Sequence, residues 1–168
     1  MKWIGFLLAV TACAGTGQWA ASQLSRRVRR LQGYLSLIES IKTQLAFTMA
    51  EPAVILQQVQ ENSAFQDFSF LPACIRHCRQ EDPFPLAWQK SLEQTKAEYR
   101  QPEDQRILWE IGEVLGSTSM EGQISQLNLL QDRLRQQMET ALAKCQTSGK
   151  LYRSLGLLGG LALVIVLW

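Results

Sequence analysis

The chain has 168 residues, 46% of them hydrophobic, and a formal net charge of +2. That length holds one domain with its attachments, and so small a charge, with no basic stripe carrying interleaved aromatics, argues against a nucleic-acid partner. The four cysteines, Cys13, Cys74, Cys78 and Cys145, fall in three separate places, which excludes a secreted disulfide framework and fits a reducing compartment.

Apolar residues collect at both ends, while the middle is polar, Gln-rich and mixed in charge. Lys2 is followed by a charge-free stretch from Trp3 to Ala21. As a helix rising about 1.5 Å per residue it just spans a hydrocarbon core of about 30 Å, so residues 1–22 are predicted as a transmembrane helix. Two alternatives stand beside this reading. Ala12-Cys13-Ala14 supplies small residues for a cleaved secretory signal, and Val10-Thr11-Ala12-Cys13 loosely mimics the lipid-attachment box of a periplasm-facing lipoprotein. Against cleavage, the apolar stretch continues past these residues, and the basic cluster Arg26, Arg27, Arg29 and Arg30 would be hard to export.

Val28, Leu31, Leu35, Ile38, Ile41 and Leu45 continue a helical face to about Thr48, with Gly33 as its weak point. Glu51 and Pro52 read as the cap and first residue of a short helix ending near Glu61, with Val54, Leu56 and Val59 inward. Phe65, Phe68 and Phe70 predict a loop pinned to the core by aromatics, after which Pro72 starts a helix to Arg79. Asp82-Pro83-Phe84-Pro85 reads as a rigid loop, because two prolines disfavour helix between them. Leu86-Ala87-Trp88 opens a helix to about Tyr99. Pro102 restarts, and Ile107, Leu108, Ile111, Val114 and Leu115 mark a further helix ending at Gly116. Ser117-Thr118-Ser119 can cap the next one. In it Ile124, Leu127, Leu134, Met138, Ala141 and Cys145 recur at helical spacing, with Gln131 the one polar residue in the row. No strand pattern persists, so residues 23–150 are predicted as an all-α bundle of five or six helices.

Beyond Lys150 and Arg153 no ionisable residue follows. Residues 151–168 are predicted as a second transmembrane helix with Arg153 snorkelling, a buried terminal core helix being the alternative. Gly156, Gly159 and Gly160 suit close packing in lipid. Arg26, Arg27, Arg29 and Arg30 after the first span, and Lys144, Lys150 and Arg153 before the second, all flank the central domain, which the positive-inside rule places in the cytoplasm.

Cys74, His77 and Cys78 are the one cluster of metal-ligand types. They could form an open zinc site, but no fourth ligand stands nearby, and no visible group orients the sole histidine as a base. No Gly-rich phosphate loop is present. The carboxylates sit at helix starts and loops, where capping explains them, and Trp88 and Trp109 read as core anchors. The expectation is a chain that is not an enzyme, with no catalytic, cofactor-binding or metal residue and no small-molecule substrate. The opposing hypothesis is a membrane-tethered thiol or metal sensor built on Cys74, His77 and Cys78.

Leu115-Gly116, Gln123, Leu127 to Leu134, Ala141 and the run Lys150-Leu151-Tyr152-Arg153-Ser154-Leu155-Gly156 with Gly160-Leu161 resemble the C-terminal signature of the stage III sporulation protein AB family. Ala87-Trp88 also matches, and the span-domain-span layout covers the chain. Where the family usually has a Thr-Pro turn, this chain has Glu51-Pro52. The resemblance implies a cytoplasmic domain similar to that of the type II secretion F protein, an inner-membrane platform. It also implies a role in endospore formation, within a channel joining mother cell and forespore. The expected location is the outer forespore membrane, with the helical domain in the mother-cell cytoplasm. The implied partners are membrane lipid, other channel subunits and a secretion-type ATPase resembling stage III sporulation protein AA. The F protein has two such domains and three spans against one and two here, so a platform role would call for self-association.

Overall fold

The computed structural model describes the backbone of residues 2–96, 101–117 and 119–167, and the side chains of 22–96, 101–117 and 119–147. Among the described residues there are six α-helices, one 3-10 turn and no strand, in agreement with an all-α bundle. In order they are α1 (Lys2–Thr48), α2 (Pro52–Gln60), the 3-10 turn Ser63–Phe65, α3 (Phe70–Arg79), α4 (Phe84–Gln94), α5 (Pro102–Val114) and α6 (Met120–Leu167). The chain divides into two compact units, Leu31–Gln136 and the pair Met1–Arg30 with Gln137–Trp168.

In the unit Leu31–Gln136, α1 buries Leu31, Tyr34, Leu37, Ile38, Ile41 and Leu45, while Leu35 is only half-buried. The helix runs through Gly33 unbroken. That glycine is where the Phe68 ring comes closest, a Cβ there falling 2.6 Å from Cζ. α1 stops at Met49, whose φ of 49° lies in the left-handed region, a C-terminal turn that glycine would normally supply. Thr48 Oγ1 donates to the Gln44 carbonyl at 2.7 Å and accepts from Ala50 N–H at 3.3 Å.

Glu51 caps α2 through its backbone, its carbonyl accepting from Val54 and Ile55 N–H at 3.0 and 3.1 Å; its side chain makes no capping bond. Ile55, Leu56 and Val59 face inward, whereas Val54, expected inward, is 42% exposed. A nine-residue helix has too few apolar positions to fix the phase of its face from sequence. Asn62 caps the 3-10 turn by accepting from Ala64 N–H at 3.0 Å. Phe65, Phe68 and Phe70 are then buried in a chain of rings: Tyr34 to Phe68 at 5.2 Å, Phe68 to Phe70 at 5.8 Å, and Phe70 edge-on to Trp88 at 5.3 Å. The expected aromatic pinning is present.

Two proline readings need correcting. α3 begins at Phe70, two residues ahead of Pro72, and α4 begins at Phe84 with Pro85 inside its first turn, so Asp82–Pro85 is only half loop. The first turn of a helix has no intrahelical use for those N–H groups, so proline costs nothing there. α4 ends at Gln94, and the expected continuation to Tyr99 lies outside the described residues from 97 onward. α5 starts on Pro102 with Glu103 and Asp104 in its first turn, where the helix dipole favours acids. Gly116, at φ +83°, ends the segment as expected, and Ser119 Oγ accepts from Gly122 N–H at 3.4 Å in the first turn of α6; Thr118 lies outside the described residues.

Among the described residues no helix is long and apolar enough to cross a membrane. The two predicted spans, 1–22 and 151–168, are helical in backbone over 2–22 and 151–167, but the side chains of 1–21 and 148–168 lie outside the described residues. In the unit Met1–Arg30 with Gln137–Trp168, Val28 and Ala141 are buried and Ser25 Oγ meets Cys145 Sγ at 3.6 Å.

Candidate functional site

Trp88 organises the interior of Leu31–Gln136. It is fully buried, touches Phe70 and Phe84, and donates its Nε1–H to the Leu108 carbonyl on α5 at 2.7 Å. Its indole closes on Gly112, one turn further along α5, where a Cβ would fall 2.1 Å from Cδ1. Ala87 beside it is also fully buried. Leu115 is 1% exposed, and Gly116 N–H donates to the buried Gln123 side-chain oxygen at 3.1 Å, tying the end of α5 to the start of α6. The resemblance residues Ala87, Trp88, Leu115, Gly116 and Gln123 therefore serve helix packing and the turn between α5 and α6. Gly112 makes the closest approach of the described glycines and was not singled out in the sequence, although a glycine inside an apolar helical row is a signal of close packing.

Arg26 and Arg29 are exposed on α1, and Arg27 and Arg30 are half-buried. Lys150, Tyr152, Arg153, Leu155, Gly156 and Gly160 have side chains outside the described residues.

The Cys74, His77 and Cys78 cluster does come together. Burial, and then the neighbouring Cys78, push the Cys74 thiol far above its ordinary range, and burial likewise raises Cys78. His77 contacts Gln94 through Nε2 at 3.0 Å, and its Nδ1 stands 3.3 Å from Asp82 Oδ2. Asp82 in turn takes Lys90 Nζ on both oxygens at 2.8 and 3.0 Å, and those bonds hold its carboxyl below the usual range. An acid thus stands beside His77, although it was not visible in the sequence, but the approach is no hydrogen bond and leaves Nδ1 buried without a partner. The chain reverses through Glu81 at φ 65°, and that turn brings Asp82 back to the helix it has just left. The imidazole ties α3 to α4, and thiols raised by burial are poor nucleophiles at neutral pH. Among the described residues no group of three or more His, Cys, Asp and Glu could hold a metal ion.

Within Leu31–Gln136 a polar contact joins α1 to α6. Gln131, 7% exposed in the apolar row of α6, donates to Glu39 Oε2 at 3.0 Å and accepts from Lys42 Nζ at 2.9 Å; Lys42 also reaches Glu39 at 3.0 Å. The Gln131 amide, followed by Lys42, lowers the Glu39 carboxyl. A polar residue in a largely apolar face is therefore satisfied by a matched pair on the facing helix.

A family model described as stage III sporulation protein AB matches residues 2–168. No curated protein and no solved structure matches the chain.

Proposed function

Because the chain belongs to the stage III sporulation protein AB family, we propose that it is a non-enzymatic assembly platform of the channel between mother cell and forespore. Its two apolar ends hold it in the outer forespore membrane, and the helical bundle between them stands in the mother-cell cytoplasm. There it meets a secretion-type ATPase resembling stage III sporulation protein AA, together with other channel subunits and further copies of itself. The observation that carries this reading is the family match along the whole chain. The burial of Cys74 and the hydrogen bond between His77 and Gln94 also favour it over a thiol or metal sensor.

The test compares spore yield in cells carrying the full chain, no chain, and the chain lacking residues 1–22 and 151–168. Loss of spores in the second and third is expected, with the central domain near Trp88 resisting protease added to intact protoplasts. Normal spore formation without the chain refutes the role, and normal formation with the anchorless chain refutes the membrane platform.

A further inference from the structure

The outward side of α5 is the strongest surface that the bundle leaves unexplained. Asp104, Ile107, Leu108, Ile111 and Val114 form the buried side of this helix. At about 100° per residue, Pro102, Arg106, Trp109 and Glu113 fall on the opposite side, in a stripe about 60° wide. These four, with Gln105 and Glu110, line one open groove of about 410 Å³. Trp109 is therefore not the core anchor that the sequence suggests: it is half-buried and lines the groove. Among the described residues its Nε1–H has no acceptor, and its ring meets no other aromatic and no cation. An indole kept on the water side of a helix, with its N–H free, has the apolar body and polar tip that anchor interfaces.

The charges along this stripe are ordered. Arg106, 83% exposed, stands about two turns before Glu113, with Trp109 between them. Glu113 is exposed and joins no ion pair among the described residues. Glu110 is already held, by Arg106 Nε at 3.3 Å and by Arg133 Nη1 at 2.9 Å. These two arginines and two glutamates balance, so the groove gathers neither an anionic lipid surface nor a strongly charged segment of either sign. What the order of charges complements is its own reverse. Two α5 helices laid antiparallel, about a two-fold axis level with the Trp109–Glu110 peptide, set Arg106 of each copy opposite Glu113 of the other, because both stand equally far from that axis. The same axis brings the Trp109 rings of the two copies together at the centre, where closing the groove takes them out of water. Parallel helices would instead set arginine against arginine and glutamate against glutamate.

We propose that this stripe is where two copies of the chain meet, through an antiparallel two-fold pairing of α5 in which Trp109 packs on Trp109 and each Arg106 pairs with Glu113 of the other copy. This rests on the platform reading, which calls for further copies of the chain, and names the face they share. Trp109 is the anchor, and the order of charges fixes the antiparallel register.

The test places a photocrosslinking benzoylphenylalanine at position 109 of the full chain in spore-forming cells and sequences the joined peptides. The expected product has twice the mass of the chain, with α5 peptides from both copies at the joint. Arg106→Glu alone and Glu113→Arg alone each set like charges together on both sides of the axis, and each should lower the yield about tenfold or more. In cells carrying both variants as separate chains, every facing pair in the mixed dimer is opposite again. The yield should then return to that of the unaltered charges, which also shows that each variant folds. A crosslink to a different protein, to lipid or to nothing overturns the proposal, as does a yield indifferent to either reversal or one not restored in the mixed cells. If cells lacking the chain sporulate normally, the platform reading itself fails. If those cells fail to sporulate and no such pair forms, only the α5 interface is wrong.

Discussion

Gly112→Ala separates two opposite expectations by sign. Within a helix the change should stabilise by about 1 kcal/mol, since alanine restricts the unfolded chain and favours helix. Here the new methyl would fall 2.1 Å from Trp88 Cδ1, 2.5 Å from Cγ and 2.8 Å from Nε1. The indole cannot slide away cheaply. It is fully buried, packed on Phe70 and Phe84, and bonded to the Leu108 carbonyl one turn before Gly112. Overpacking costs about 1–3 kcal/mol, and an indole N–H pushed off its buried acceptor adds about 1–3 kcal/mol. After the propensity gain, the middle of those ranges leaves a net loss of about 3 kcal/mol. For a domain of this size that lowers the thermal midpoint by roughly 10–25 °C. The assay is far-UV circular dichroism of the full chain in detergent, heated alongside Trp88→Phe and the double variant. Phenylalanine keeps Cγ and Cδ1 but is smaller and has no N–H tied to the Leu108 carbonyl, so its ring can move off the new methyl and the double variant should be more stable than the summed single losses by about 1 kcal/mol or more. A neutral or stabilising Gly112→Ala, or strict additivity in the cycle, refutes the close approach.

Gly116→Ala places a side chain at φ +83° and should cost about 1–2 kcal/mol, with Gly116→Asn costing less, by the same melting assay. Gln123→Leu removes the acceptor of Gly116 N–H and should cost about 1 kcal/mol, with little added penalty in the Gly116→Ala background. Glu39 is lowered by the Gln131 amide and then by Lys42, so its share of stability is complete above the unfolded glutamate value and disappears as pH falls through the folded one. Gln131→Leu should therefore flatten the acid limb of a midpoint-versus-pH curve, and an unchanged limb contradicts the contact. Cys74, buried and raised far above its ordinary range, should react with a maleimide at pH 7.5 only as fast as the bundle opens. Its labelling rate should follow denaturant concentration, and rapid labelling of the folded chain would show the thiol to be reachable.

The helices were legible because proline and glycine punctuate this chain at nearly every boundary: Pro52 and Pro102 open helices, and Gly116 closes one. Where punctuation misled, proline was read as a break although a first turn tolerates it, as at Pro72 and Pro85. Gln131 stood out as the polar exception in an apolar row, but its partners could not be read from α6, since Glu39 and Lys42 are 92 and 89 residues away. The acid beside His77 was hidden because a left-handed residue, Glu81, folds Asp82 back. Nor does composition distinguish an outward Phe47 from an inward Phe70. Both are aromatics at helix ends, and only the packing shows that one lies in the core and the other in water.

The Glu39, Lys42 and Gln131 contact also bears on how force could pass through this bundle. Moving α6 along α1 by one helical turn, about 5.4 Å, would bring Leu127 or Leu134 opposite a carboxylate and an ammonium and strand the glutamine amide among leucines. Gln131, nearly dry, would lose both partners, whereas the Glu39 side chain, 59% exposed, would turn to water, so it is the glutamine that resists a piston stroke of α6. A pull on it would be taken up by rocking of the short helices α2 to α5 or by local melting, and the long helix itself would keep its register.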